Sequence, residues 1–423
     1  MACALCADIG TSSLKTAVID QNGKVLAYSR QRFQNTSDEN TSISIAKEWL
    51  PALKASIDEI FTDGSLSVDA ICISGNGPTL VSCSGHTLLW NQKIPEQDTA
   101  LSGAAGKSLF IPRLTAFKKL YAEEWNDSQY IFSGPEFLIY SLTGNAVTIL
   151  PEERYTEAYW TEDTLKEAGF SQEDISRIPP FTKPSSLAGK LNAASESFLS
   201  HPQNNIKEGL PVYCGAPDFI AALIGSSTLK PGLLCDRAGS SEGINLCTDR
   251  PLSAPGVRTL PSIIPGLWNA SVLIPDSGIR FSSYKKHFEE IAGFPVAYSD
   301  LVDAAIASDG SQAILDQGKY LMLQIAMQVR DGIQTLLSLA RDSGLPLPSY
   351  LTLTGGQAQS DGFTQMKSSV TGMEVKVLQC NDAELLGDAV LAFCGMGIYS
   401  DIQAAAEKIQ HVSKIFAPGG DMG

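Results

Sequence analysis

No apolar run in this chain is long enough to cross a bilayer, which argues against a helical membrane protein. The apolar start, residues 1–6, has no basic leader and no cleavage-type spacing, and it reads as the beginning of a buried strand. The nine cysteines include no CxxC pair and no Cys/His cluster with zinc spacing, so neither a zinc ribbon nor a redox dithiol is written here. Cys72, Cys214 and Cys235 lie inside apolar strand-like runs, where a thiol is a small hydrophobe, and this usage points to a reducing cytoplasm. Only four histidines are present (His86, His201, His287 and His411), isolated from one another and without partner spacing. Positive charge is also scarce: 31 Lys and Arg against 46 Asp and Glu leave a net charge of −15. Such a surface repels phosphate backbones, so nucleic acid and anionic membranes are expected not to be partners. Nucleotide binding stays open, because backbone amides, helix N-termini and Mg²⁺ hold phosphates without a basic surface.

What the chain does have is a globular composition, 43% hydrophobic and 18% charged over 423 residues, a length that suits two domains. Residues 4–9, 14–20 and 24–34 read as a β-meander, with Asn22-Gly23 as the second turn. Helical spacing runs over 40–61, and a short apolar strand over 68–74 ends at Gly75-Asn76-Gly77-Pro78. Residues 210–215 read as a strand with Asp218 just past its end, followed by a small-residue helix. Pro231-Gly232 opens a second half with strands over 233–237 and 244–247, a long helix over 319–342 and a strand over 350–354. The expected division is 1–229 and 230–423, each with glycine turns at strand ends followed by helices.

Four places combine a strand end, a tight turn and polar groups. In Asp8-Ile9-Gly10-Thr11-Ser12-Ser13-Leu14-Lys15 an acid can hold a magnesium-bound water while turn amides and Lys15 face phosphate; a capped hairpin explains it equally well. Asp218 can take the proton of an attacking hydroxyl, or can simply cap the helix that follows. Gly239-Ser240-Ser241 can close around phosphate oxygens, or form an ordinary β-turn. Gly355-Gly356-Gln357, with Ser360, lets a flat ligand approach closely, or is a tight strand-to-helix turn.

Their order along the chain resembles the FGGY carbohydrate kinases. Asp8 to Lys15 is similar to the family's first phosphate segment, and Ile73-Ser74-Gly75-Asn76-Gly77 to the segment beside the sugar. Gly215-Ala216-Pro217-Asp218 resembles the GGGD that bears the catalytic base, and Gly239-Ser240-Ser241 the second phosphate turn. Thr354 to Ser360 is similar to the adenosine loop, and residues 384–399 to a small-residue helix near the nucleotide. The resemblance implies two RNase-H-like, actin-like ATPase domains of α/β class with an interdomain cleft, and ATP with Mg²⁺ as cofactors. It implies Asp218 as catalytic base and metal partner, with Asp8 on the metal. Gly10, Thr11, Ser12, Ser13, Lys15, Gly239, Ser240, Ser241, Gly355, Gly356, Gln357 and Ser360 would line the nucleotide. Asn76, Gly77, Pro78, Thr79 and Trp90 would join Asp218 on the sugar side.

The departures fall on that sugar side more than on the nucleotide side. The family's sugar-loop histidine is absent from Asn76-Gly77-Pro78-Thr79, and Trp90-Asn91-Gln92-Lys93 lacks the arginine of the family's WNDxR segment. The expected activity is phosphorylation of a small ketose, aldonate or polyol in the cytoplasm. Two other readings stay open: a non-catalytic relative that binds nucleotide or sugar, and an ATPase of the chaperone or activator type. The oligomeric state is open too, a homodimer among the options.

Overall fold

The computed structural model describes residues 1–34, 44–95, 101, 103–239 and 241–419. Packing divides the chain into one unit of Met1–Ala221 with Glu384–Ile409 and a second of Ala222–Ala383 with Gln410–Gly423. This differs from a single break after residue 229. The helix Ala383–Gly395 returns to the first unit because it is apolar and its Asp388 bonds Ser74 there, Ser74 Oγ donating at 2.9 Å. Just beyond it, Tyr399 donates its hydroxyl hydrogen to the Gln21 carbonyl at 2.6 Å.

In the first unit, a six-stranded sheet runs in the order Leu187–Lys190, Pro211–Pro217, Ala70–Gly75, Cys3–Ile9, Ser13–Asp20, Val25–Arg32. The last three form the antiparallel meander expected from the Asn-Gly turn. Cys3–Ile9, Ala70–Gly75 and Pro211–Pro217 are parallel neighbours. Parallel strands buried on both faces read as continuous apolar runs, and every residue of Cys3–Ile9 and Ala70–Gly75 is buried. Helix Trp49–Ile60 covers the sheet with Trp49, Leu53, Ile57 and Ile60, a one-sided stripe whose side chains contribute about 1.5–3 kcal/mol each on burial. Helical structure begins at Ile45 with a short 3₁₀ turn; residues 40–43 of the expected helix lie outside the described residues.

The second unit repeats this plan. Its seven-stranded sheet runs Arg258–Pro261, Trp268–Ile274, Glu242–Thr248, Leu234–Ala238, Tyr350–Gly355, Glu374–Leu378, Val412–Phe416. Again an antiparallel meander is joined to two parallel strands. Helix Ala313–Asp342 lays Met322, Ile325, Val329, Ile333 and Leu336 toward the core at helical spacing. Strands Arg258–Pro261, Trp268–Ile274 and Val412–Phe416 went unread in the sequence, where polar and glycine-rich stretches mask their alternation. All nine cysteines are free, and no helix among the described residues is long and apolar enough to cross a membrane.

Candidate active site

Strand register builds the first unit's edge. Ile9 pairs with Gly75, and Gly75 with Pro217, so three parallel strands end level with one another. The Gly10 turn, the Asn76 loop and Asp218 therefore leave the same carboxyl edge, with outer members about 10 Å apart at ordinary strand spacing. Asp218 opens helix Asp218–Gly225 and accepts the Phe219 N–H at 2.6 Å. Its aim depends on an irregularity in the pairing between Cys214 and Pro217, where the strand leaves regular register. Gly215 lies within it: a Cβ there would come 2.3 Å from the Ile73 carbonyl oxygen, so no larger residue fits.

Asp8 is 2% exposed, one residue from its strand's end. Lys15, its register partner, brings Nζ to 3.4 Å from Asp8 Oδ2 and 3.9 Å from Glu384 Oε2. Ser74 Oγ lies 3.4 Å from Asp8 Oδ1 and also donates to Asp388. Burial, and next the charge of Asp8, push the Asp388 carboxyl well above its ordinary value. Asp388 and Glu384 were not singled out from sequence, although an acid inside the apolar run LLGDAVLAF is a usable signal.

The loop residues divide into those displayed and those turned inward. Thr11, Gly10, Gly77 and Pro78 are partly exposed and Ser12 is exposed, whereas Ser13 is buried and accepts from Arg30 Nε at 3.1 Å. Asn76 and Thr79 are buried and spend their side chains on the loop. Thr79 Oγ1 donates to Asn76 Oδ1 at 2.6 Å, and Asn76 Nδ2 donates to the Ile9 carbonyl at 3.1 Å. Trp90 is 36% exposed, with its backbone N–H on Thr79 Oγ1 at 3.2 Å and Nε1–H on Thr11 Oγ1 at 2.9 Å. That bond ties the Trp90 segment to the Gly10 turn. Arg113, unnoticed in the sequence, donates to the Leu89 and Gln92 carbonyls from helix Ile111–Leu120 and braces the Trp90 loop. Burial lowers its guanidinium to about 10.

In the second unit Ala238 pairs with Gly355, so the Gly239 turn and the Gly355-Gly356 loop leave adjacent strands at one edge. Gly355 is required twice over: φ is +86° and a Cβ would sit 2.4 Å from the Ala238 carbonyl oxygen. Gly239 and Gly356 are exposed, and a Cβ on Gly356 would meet nothing within 4 Å, which leaves open space for a flat ligand against the backbone. Ser241 is partly exposed, and its carbonyl accepts the Gly239 N–H at 2.9 Å; Ser240 lies outside the described residues. Gln357 and Ser360 face inward. Ser360 caps helix Asp361–Thr371 by accepting the Phe363 N–H at 3.2 Å, and Gln357 Nε2 donates to Glu242 Oε2 at 3.1 Å.

Among the described residues no group of three His, Cys, Asp or Glu side chains could hold a metal by itself. A magnesium ion that keeps its waters and takes one or two carboxylates plus phosphate oxygens needs no such cage, and the Asp8 carboxylate fits that donor set.

Comparison with known proteins matches residues 321–396 to the C-terminal domain of the FGGY family of carbohydrate kinases. Over its whole length the chain is 22% identical to a xylulose kinase of Staphylococcus epidermidis, covering 98% of this chain and 92% of that protein. It is also 22% identical to an autoinducer-2 kinase of an Enterobacter species, covering 98% and 90%. The crystal structure of ligand-bound xylulose kinase from Lactobacillus acidophilus superposes with a TM-score of 0.77 at 16% identity, over 99% of this chain and 94% of that one. The two repeated sheets thus have the actin-like ATPase fold of these kinases, and residues 321–396 carry the similarity to the C-terminal domain of the FGGY family of carbohydrate kinases.

Proposed function

We propose that the protein transfers the γ-phosphoryl group of MgATP to a hydroxyl of a small ketose, with aldonates and polyols as the other acceptor classes. The observation that carries this reading is the common edge of the first unit, where one register delivers Asp8, the Gly10 turn and Asp218. The xylulose kinases among its relatives support a ketose as acceptor.

In this reading Asp218 accepts the proton of the attacking hydroxyl, a task suited to a carboxylate held at a helix start and partly open to solvent. Asp8 holds Mg²⁺ through water, and Lys15 and the Gly10 turn steady the phosphates. Gly239 and Ser241 present further backbone and hydroxyl groups, while Gly355 and Gly356 leave room for the adenosine. Bound MgATP would supply the phosphoryl group and neutralise charge on its oxygens; the protein contributes positioning and the base. Trp90, linked to Thr11, offers its ring to the acceptor next to Gly77 and Pro78. Asn76 and Thr79 shape the loop instead, which agrees with their inward bonds.

A coupled ADP-release assay with Mg²⁺, ATP and a panel of pentuloses, hexuloses, aldonates and polyols tests the proposal. Acceptor-dependent ADP release is expected, abolished in Asp218→Asn while nucleotide affinity holds. Nucleotide binding without turnover of any acceptor would favour the non-catalytic relative, a reading to which the inward Asn76 and Thr79 lend weight.

A further inference from the structure

Behind the Gly239 turn lies a charged cluster that the proposed reaction does not use. Lys367, Asp236 and Glu242 have side chains with no exposed surface. Lys367 Nζ is 2.7 Å from Asp236 Oδ2 on the strand entering the turn, and also donates to Glu242 Oε1 on the strand leaving it. Glu242 passes the connection on, since its other oxygen accepts from Gln357 in the Gly355 loop. The amide oxygen of Gln357 is buried and has no hydrogen-bond partner among the described residues, so the Glu242 bond is the contact that orients that amide. We propose that Lys367 is a positioning residue for the nucleotide, fixing through Glu242 and Gln357 the separation between the Gly239 turn and the Gly355 loop. The inference rests on those two loops being the nucleotide loops.

Burying three ionisable groups is costly, and well-packed apolar residues would hold a core at least as firmly. Apolar residues could not supply the directional bond that Gln357 donates to Glu242. The charge balance agrees with the geometry. Burial, and then the charge of Glu242, push the Asp236 carboxyl well above its ordinary value. Burial opposes the charge on Glu242 too, but Lys367 holds its carboxyl below the ordinary value. The two directions favour negative charge on Glu242, the carboxylate that reaches the loop, over Asp236. Lys367 stands with Phe363 and Met366 among the buried residues of helix Asp361–Thr371, and its ammonium lies 5.4 Å from the centre of the Phe363 ring.

The test uses the purified full chain and a fluorescent ADP analogue, with ATP KM and acceptor KM measured beside it. Lys367→Met should weaken analogue binding and raise ATP KM by about tenfold, the worth of one buried hydrogen bond to a charged group, and leave acceptor KM unchanged. Gln357→Met should do the same, and the double variant should be no worse than Lys367→Met alone, because both act along one connection. Adding Glu242→Gln to Lys367→Met removes the stranded charge, so thermal stability should recover while nucleotide affinity does not. If Lys367→Met alone fails to fold, the cycle is run between Glu242→Gln and Gln357→Met. Wild-type affinity in folded variants, effects that multiply independently, or an equal rise in acceptor KM overturns the inference. Absence of analogue binding by the wild-type protein would instead remove the reading of the loops on which it rests.

Discussion

Replacing Gly215 by alanine probes most directly how Asp218 is aimed. The added Cβ would lie 2.3 Å from the Ile73 carbonyl oxygen, 2.6 Å from its carbon and 2.8 Å from Asp388 Oδ1. Two of these three atoms are backbone, so no change of rotamer relieves the collision, and the two strands must part by roughly 1 Å to reach ordinary contact. Overpacking of this kind costs about 1–3 kcal/mol. At about 2–4 °C per kcal/mol for a unit of this size, thermal melting should fall by several degrees. The displacement reaches Asp218 three residues later, and a misplacement of about 1 Å in a reacting group can cost roughly 100-fold in rate. The measurement is acceptor-dependent ADP release beside a thermal melt and binding of the ADP analogue. Expected are a large loss in kcat, a lowered melting temperature and nearly unchanged nucleotide affinity. A variant that melts and turns over like the wild type would show that this close approach neither strains the sheet nor directs the carboxylate.

Two further outcomes follow from the first unit. Trp90→Phe keeps an aromatic face but loses the 2.9 Å bond to Thr11, so acceptor KM should rise several-fold, about the worth of one neutral hydrogen bond, with ATP KM little changed; steady-state kinetics in both substrates checks this. Asp174 is largely buried, which raises its carboxyl, but Lys118, Ser171 and Trp125 more than compensate and hold it well below the usual range. A depressed native value stabilises the fold above the unfolded value of about 4 and loses that contribution as pH falls further. Melts from neutral pH down to about pH 3 should therefore show Asp174→Asn less stable near neutrality and with a flatter acid limb than wild type; parallel curves would remove Asp174 from the acid response.

Much of the architecture was readable because its causes are local. The Asn22-Gly23 turn, the apolar run before Gly10 and the periodicity of the long helix each arise within a few residues, and the structure places strands Ser13–Asp20 and Tyr350–Gly355 within a residue of their expected limits. The choice between a plain turn and a ligand-binding one was not readable at any of the four glycine sites. Gly239 and Gly356 are exposed and Gly10 partly so, whereas Gln357, Ser360, Asn76 and Thr79 turn inward to cap and tie the loops. Spacing along the chain is the same in both cases. Which way a side chain faces depends on what packs against it.

Local periodicity and turn chemistry thus settled the repeated meander-and-helix plan, the glycine turns at strand ends and the acids beside them, because each rests on near neighbours in the chain. Sheet order alone made Asp8 and Asp218 share an edge, since that requires strand Ala70–Gly75 to lie between theirs. Tertiary packing likewise joined Lys367 to carboxylates 131 and 125 residues away and drew helix Ala383–Gly395 back to the first unit. Burial of charge and pairing of strands act through space, so their outcome is decided only when distant segments meet.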